Sequence, residues 1–152
     1  MHIKTILCPT DFSDPAERAL KAARGFALRF DARIVLLHVS EPLPLLASPH
    51  VGGAVTNFDV PGYQEARLEQ AREHLETLAE KHASPDLKLE TRLREGLPAD
   101  MINDTAAEEG ADMIVIATSG RSAFRRFLFG SVAEKVIRSA PCPVLTIASS
   151  GE

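Results

Sequence analysis

At 152 residues the chain has the size of one domain, 1–152, with enough interior to fold without a disulfide or a metal. Hydrophobic residues make up 45% and charged residues 25%, which excludes disordered, collagen-like and coiled-coil chains. Seventeen Lys and Arg against 21 Asp and Glu leave a net charge of −4, a balance that argues against nucleic acid as the main partner.

Ile3, Ile6, Leu7 and Cys8 open the chain as a short apolar strand stopped by Pro9. Asp14 is expected to N-cap the first helix, with Pro15 at its first position and Glu17 completing a capping box. Ala16, Ala19, Leu20, Ala23, Ala27 and Phe30 then follow the three-four spacing of one apolar face. Ile34 to Val39 form a nearly continuous apolar run, the mark of a strand covered on both faces. From Glu41 to Gly62, prolines and the Gly52-Gly53 pair break the pattern into a long loop. It is too apolar for a solvated linker and is expected to lie over the ligand or a partner subunit.

A second helix is expected from about Pro61 to Ala83, with Leu68, Ala71, Leu75, Leu78 and His82 along one face. Leu87, Leu89, Thr91 and Leu93 alternate with Lys88, Glu90, Arg92 and Arg94, which predicts an edge strand buried on one side. Pro98 starts a third helix carrying Met101, Ile102, Thr105 and Ala106, and Gly110 ends it. Met113 to Ala117 is another apolar strand, and a loop from Thr118 to Gly130 leads to a fourth helix. Ser131 and Glu134 are read as its capping box, Pro141 and Pro143 stop it, and Val144 to Ala148 form the last strand.

Strands that alternate with helices imply an open α/β fold, Rossmann-like, with a five-stranded parallel sheet and helices on both faces. The order 3-2-1-4-5 puts the alternating strand at an edge and the apolar strands inside. In that order the chain reverses direction between strands 1 and 4, and ligands bind at such a switch point beyond the carboxyl ends of the strands. Pro9, Thr10 and Asp11 lie there after strand 1, and Ala117 to Ser131 after strand 4.

Gly120 and Gly130 bracket nine residues, and Ser131 follows at a helix N-terminus. Helix N-termini present unpaired N–H groups and partial positive charge, which suit phosphate oxygens. The loop carries Arg121, Arg125 and Arg126 and no acidic residue, so an anion is one reading. The other is that the glycines serve turns and the arginines a solvated face. Asp11 has two readings as well: an acceptor for a ribose hydroxyl or base amino group, or a turn-former ahead of the helix cap.

Ile6-Leu7-Cys8-Pro9-Thr10-Asp11-Phe12-Ser13, Leu36-Leu37-His38-Val39, Thr118-Ser119-Gly120-Arg121-Ser122, Gly130 to Val136 and Ala140 to Leu145 together resemble the universal stress protein family, over essentially the whole chain. The family's nucleotide-binding branch carries G-x-x-G-x9-G-[ST]; Gly120, Gly130 and Ser131 match it, and Ala117 replaces the first glycine. The resemblance implies an ATP site in which Asp11 contacts ribose or adenine and Pro9, Thr10, Val39 and Ile116 form an apolar adenine pocket. Gly120, Arg121, Gly130, Ser131 and Val132 would hold the phosphates, and Mg²⁺ or Mn²⁺ can accompany them, although the sequence shows no dedicated acidic cluster. The same resemblance implies a homodimer through the C-terminal strand, whose apolar edge nothing blunts.

Other chemistry is poorly supported. The five histidines lie outside any metal-ligand spacing, and His38 reads as a satisfied core or strand-end imidazole. There is no G-x-x-x-x-G-K-[ST] and no Ser-His-acid set. Cys8 and Cys142 form no C-x-x-C pair and suit a reducing compartment. No apolar stretch reaches about 18 residues, so membrane insertion is not expected. The expected protein is a cytoplasmic, stress-associated ATP-binding regulator, not an enzyme beyond slow ATP hydrolysis, with a possible protein partner yet to be identified. The rivals are a dimeric interaction protein of the same fold that binds no nucleotide, and a weak ATP hydrolase.

Overall fold

The computed structural model describes residues 1–43, 59–119 and 130–148. Each apolar run becomes a strand: β1 (Thr5–Pro9), β2 (Arg33–Ser40), β3 (Lys88–Glu95), β4 (Met113–Ala117) and β5 (Val144–Ile147). They pair in parallel in the order β3-β2-β1-β4-β5. The crossovers contain α1 (Asp14–Phe30), α2 (Val60–His82), α3 (Pro98–Glu108) and α4 (Ser131–Ser139). β1, with five consecutive buried residues, and β4, likewise buried throughout, occupy the interior of the sheet.

Strand alternation divides the core into two halves. Ile6, Cys8, Ile34, Leu36 and Val115 face α1 and α2, where they meet Ala19, Leu20 and Leu75. Leu7, Val35, Leu37 and Ile114 face α3 and α4, where Ile102, Ala106 and Val136 cover them. β3 is half-exposed along its length, as an edge strand with charged alternate residues should be.

Three helix starts differ from the sequence reading. The N-cap of α1 is Ser13, not Asp14: its hydroxyl accepts from the Ala16 amide at 3.3 Å. Glu17 closes no capping box, because its carboxylate reaches across to Lys81 and His82 on α2. Gly130, not Ser131, caps α4, and the Glu134 side chain pairs with Arg138 instead of turning back. α2 begins at Val60 behind the cap Asp59, so the predicted loop ends sooner; its residues 44–58 lie outside the described residues.

The amino-terminal end of the sheet is stitched by charge. Arg33 on β2 donates to Thr5 Oγ1 on β1 (3.2 Å), to Glu90 on β3 (3.3 Å), and to both the backbone carbonyl (3.2 Å) and the carboxylate (3.0 Å) of Glu109 after α3. Asp112, just before β4, accepts the Lys4 and Thr5 amides at 2.8 and 3.0 Å. At the opposite end the strands open onto a cavity.

Candidate functional site

A cavity of about 670 Å³ lies beyond the carboxyl ends of β1, β2 and β4, within the size range of small-molecule sites. Nine of the sequence-predicted residues line it. Pro9, Thr10 and Asp11 come from the end of β1, Val39 from β2, and Ile116 and Ala117 from β4. Gly130, Ser131 and Val132 enter from the start of α4. Gly120 and Arg121 lie outside the described residues.

The floor is built by the turn after β1. The Thr10 amide donates to the Leu37 carbonyl (2.8 Å), so the chain leaves β1 still tied to β2. Thr10 Oγ1 then accepts from the Phe12 amide (3.0 Å), and Asp11 Oδ1 accepts from both the amide (3.0 Å) and the hydroxyl of Ser13. Asp11 therefore does form the turn that delivers the α1 cap, through one of its carboxylate oxygens. Phe12 sits at φ 64°, a left-handed conformation unusual for an aromatic residue, and this turn holds it there. Its ring packs on His38 (centroids 4.4 Å apart) and meets His74 edge-on at 5.5 Å.

His38 Nδ1 lies 2.8 Å from the Thr10 carbonyl. A carbonyl only accepts, so this nitrogen carries the proton, and in the neutral ring Nε2 is the acceptor. The imidazole is thus a strand-end group satisfied by backbone, as its place in an apolar strand suggested.

The opposite lip is the N-terminus of α4. Glu134 makes the first intrahelical bond, to the Gly130 carbonyl at 3.0 Å, which leaves the amides of Ser131, Val132 and Ala133 without an acceptor inside the helix. No side chain among the described residues caps them. The Gly130 amide is committed to the Thr118 carbonyl and offers the cavity no donor. A Cβ at Gly130 would lie 3.4 Å from that carbonyl oxygen and 3.7 Å from Ser119 Cα, ordinary contacts, so only a side chain larger than a methyl would intrude on the space before the helix. The arrangement can receive an anion on amides and a hydroxyl, with apolar Val39 and Ile116 alongside.

A third wall was not legible in the sequence. Arg67, Gln70 and His74 of α2 line the cavity, as does Glu41 at the end of β2. Among the described residues no group of three or more His, Cys, Asp or Glu side chains could hold a metal ion. Burial pushes the Cys8 thiol up to about 12, which makes it a core residue without reactivity at neutral pH. No helix among the described residues is long and apolar enough to cross a membrane.

Comparison with known proteins bears on the family and the fold. A universal stress protein of Methanocaldococcus jannaschii, MJ0531, is 35% identical over 144 residues, which cover 95% of this chain and 81% of that one. The solved structure of MJ0577, from the same organism, matches with a TM-score of 0.84 at 27% identity, over the whole of both chains. A universal stress protein from Archaeoglobus fulgidus, solved in complex with dAMP, is 29% identical with a TM-score of 0.62, covering 97% of this chain and 99% of that one. The Universal stress protein family model matches residues 2–148. With that model spanning residues 2–148 and the same fold in the solved relatives, this chain belongs to the universal stress protein family.

Proposed function

We propose that this protein binds ATP in the crevice between β1 and β4 and acts as a nucleotide-dependent regulatory or interaction module in the cytoplasmic stress response. The observation that carries the reading is the start of α4: three amides without helical acceptors and the Ser131 hydroxyl, kept accessible by Gly130, face a cavity whose floor holds Asp11. The α4 amides and Ser131 hold phosphate oxygens, with Gly120 and Arg121 of the preceding loop. Asp11 accepts from the ribose or the base, and Pro9, Thr10, Val39 and Ile116 receive the adenine. The dAMP complex of the Archaeoglobus fulgidus relative supports an adenine nucleotide as the ligand class. Mg²⁺ or Mn²⁺ would arrive with the phosphates, since the described side chains form no cage for it.

The protein is read as a binder and not an enzyme. The sequence carries no P-loop lysine motif, and no lysine is among the described residues that line the cavity, so hydrolysis of ATP is read as slow at most. It is also read as a homodimer through β5. The Ile114 and Thr118 amides of β4 bond the carbonyls of Pro143 and Ile147, so the alternate residues Val144 and Thr146 turn their backbone groups outward. Among the described residues β5 pairs with β4 alone, and a second copy of the strand would satisfy its open side.

Ala117, where the nucleotide-binding pattern has its first glycine, favours a second reading: a dimeric interaction protein of this fold without nucleotide. Protein purified from its producing cells, denatured and analysed by chromatography and mass spectrometry, decides between them. Co-purified or rebound adenine nucleotide supports the first reading; a chain that arrives empty and takes up no ATP supports the second.

A further inference from the structure

We propose that Gln70 on α2 selects adenine over guanine by pairing with the N6/N7 edge of the base, an inference that rests on the nucleotide reading above. The strand order fixes which end of the ligand meets α2. β4 and β2 lie on opposite sides of β1, and α4 follows β4 whereas α2 follows the chain out of β2. Phosphates held at the start of α4 therefore direct the rest of the nucleotide across Asp11 toward Val39 and α2.

At that end the cavity has an apolar side, with Val39, Pro98 and Ile102, and a polar side made by Arg67, Gln70 and His74, which share one face of α2. A purine base held in the apolar pocket that includes Val39 presents an edge to the polar side. His74 is engaged with the Phe12 ring. Arg67 and Gln70 have no hydrogen-bond or ion-pair partner among the described residues, although α2 is rich in glutamates. Gln64, two turns earlier, shows the contrast: its amide is tied to Glu95 at 2.9 Å.

A carboxamide offers one donor and one acceptor side by side, which matches adenine N7 and its N6 amino group. Guanine presents two acceptors on that edge, N7 and O6, and leaves the amide oxygen facing one of them. The all-donor guanidinium of Arg67 has the opposite preference, for guanine. The assignment of selectivity to Gln70 is therefore a choice between two neighbours that predict opposite outcomes.

Calorimetry of the full chain with ATP, GTP and 7-deaza-ATP tests it, with Gln70→Ala and Arg67→Ala as the variants. Gln70 is solvent-exposed on a helix, and alanine favours helix, so the fold is not at risk. Wild type should bind ATP about tenfold or more tightly than GTP or 7-deaza-ATP. Gln70→Ala should erase both differences by weakening ATP alone, while Arg67→Ala leaves the ratios in place. Unchanged ratios in Gln70→Ala, or ratios that move only in Arg67→Ala, would overturn the assignment and leave nucleotide binding standing. A wild-type protein that binds none of the three would overturn both.

Discussion

Replacing Gly130 by valine should remove ATP binding and leave the protein folded. The backbone there, at φ −68° and ψ 161°, is open to any residue, so replacing glycine gains about 0.4–1 kcal/mol from a less disordered unfolded chain. Losing glycine as the N-cap costs about as much, roughly 0.5–1 kcal/mol. The new Cβ meets the Thr118 carbonyl oxygen at 3.4 Å, an ordinary contact. With these effects offsetting, the melting temperature should move by no more than about 2–4 °C. The two methyls are another matter. The Thr118 carbonyl bars one direction, so they extend about 1.5 Å further over the amides of Ser131 and Val132, where the phosphates are placed. In wild type, ATP at about 100 times its dissociation constant should add roughly 2.7 kcal/mol, a rise in melting temperature of about 5–10 °C. In the variant that rise should vanish, and calorimetry should detect no binding. A Gly130→Val protein with wild-type affinity and an undiminished thermal shift would refute the placement of the phosphates at α4.

Three further outcomes are expected. Steady-state ATP turnover should fall far below the range of about 1–1,000 per second typical of enzymes, and a homogeneous preparation turning over about ten per second would contradict the binder reading. Thr146→Pro removes an outward-facing donor from β5 without touching its ladder to β4, so sedimentation should shift from dimer to monomer; a wild-type protein that is monomeric at tens of micromolar defeats the edge-pairing argument. The Lys81 hydrogen bond, at 2.7 Å and aided by His82, holds the Glu17 carboxyl below its ordinary value against an opposing contribution from burial. Because that value is depressed in the folded state, the stability it confers is present above the ordinary carboxylate range and is lost as pH falls through the folded value. The stability lead of wild type over Glu17→Gln should therefore narrow on acidification, and a gap indifferent to pH would exclude this link between α1 and α2.

The strand order was readable because each strand announces its place. The unbroken apolar runs at Ile34–Val39 and Met113–Ala117 require cover on both faces, and the strict alternation from Leu87 to Arg94 tolerates water on one. The switch point follows from that order, and with it the positions of Asp11 and Ser131. The caps were harder: Ser13 and Asp14 are both good capping residues, Pro15 suits the first or second helical position, and one residue's difference decides. Ser131 with Glu134 matches a capping box for the same reason, yet Gly130 takes the cap position and Ser131 lines the cavity. The α2 wall left no trace in the pattern. Helical periodicity reports the buried stripe of Ala71 and Leu75, whereas Arg67, Gln70 and His74 flank it and look like any solvated polar residues. Nor does the sequence around Phe12 announce a left-handed backbone, which comes from the Thr10 hydroxyl and the strand-bound turn together.

The charge network around Arg33 has a bearing on how this protein can change over time. It ties β1, β2, β3 and the end of α3 at the rim of the sheet remote from the cavity. Mutations there act on the scaffold's endurance, and mutations at the crevice act on what is bound, with few residues serving both purposes. A lineage could therefore drift in ligand preference, or lose its ligand altogether, while the anchored end preserved the architecture. One scaffold can in this way pass through many regulatory roles, each acquired at the open rim without renegotiating the fold.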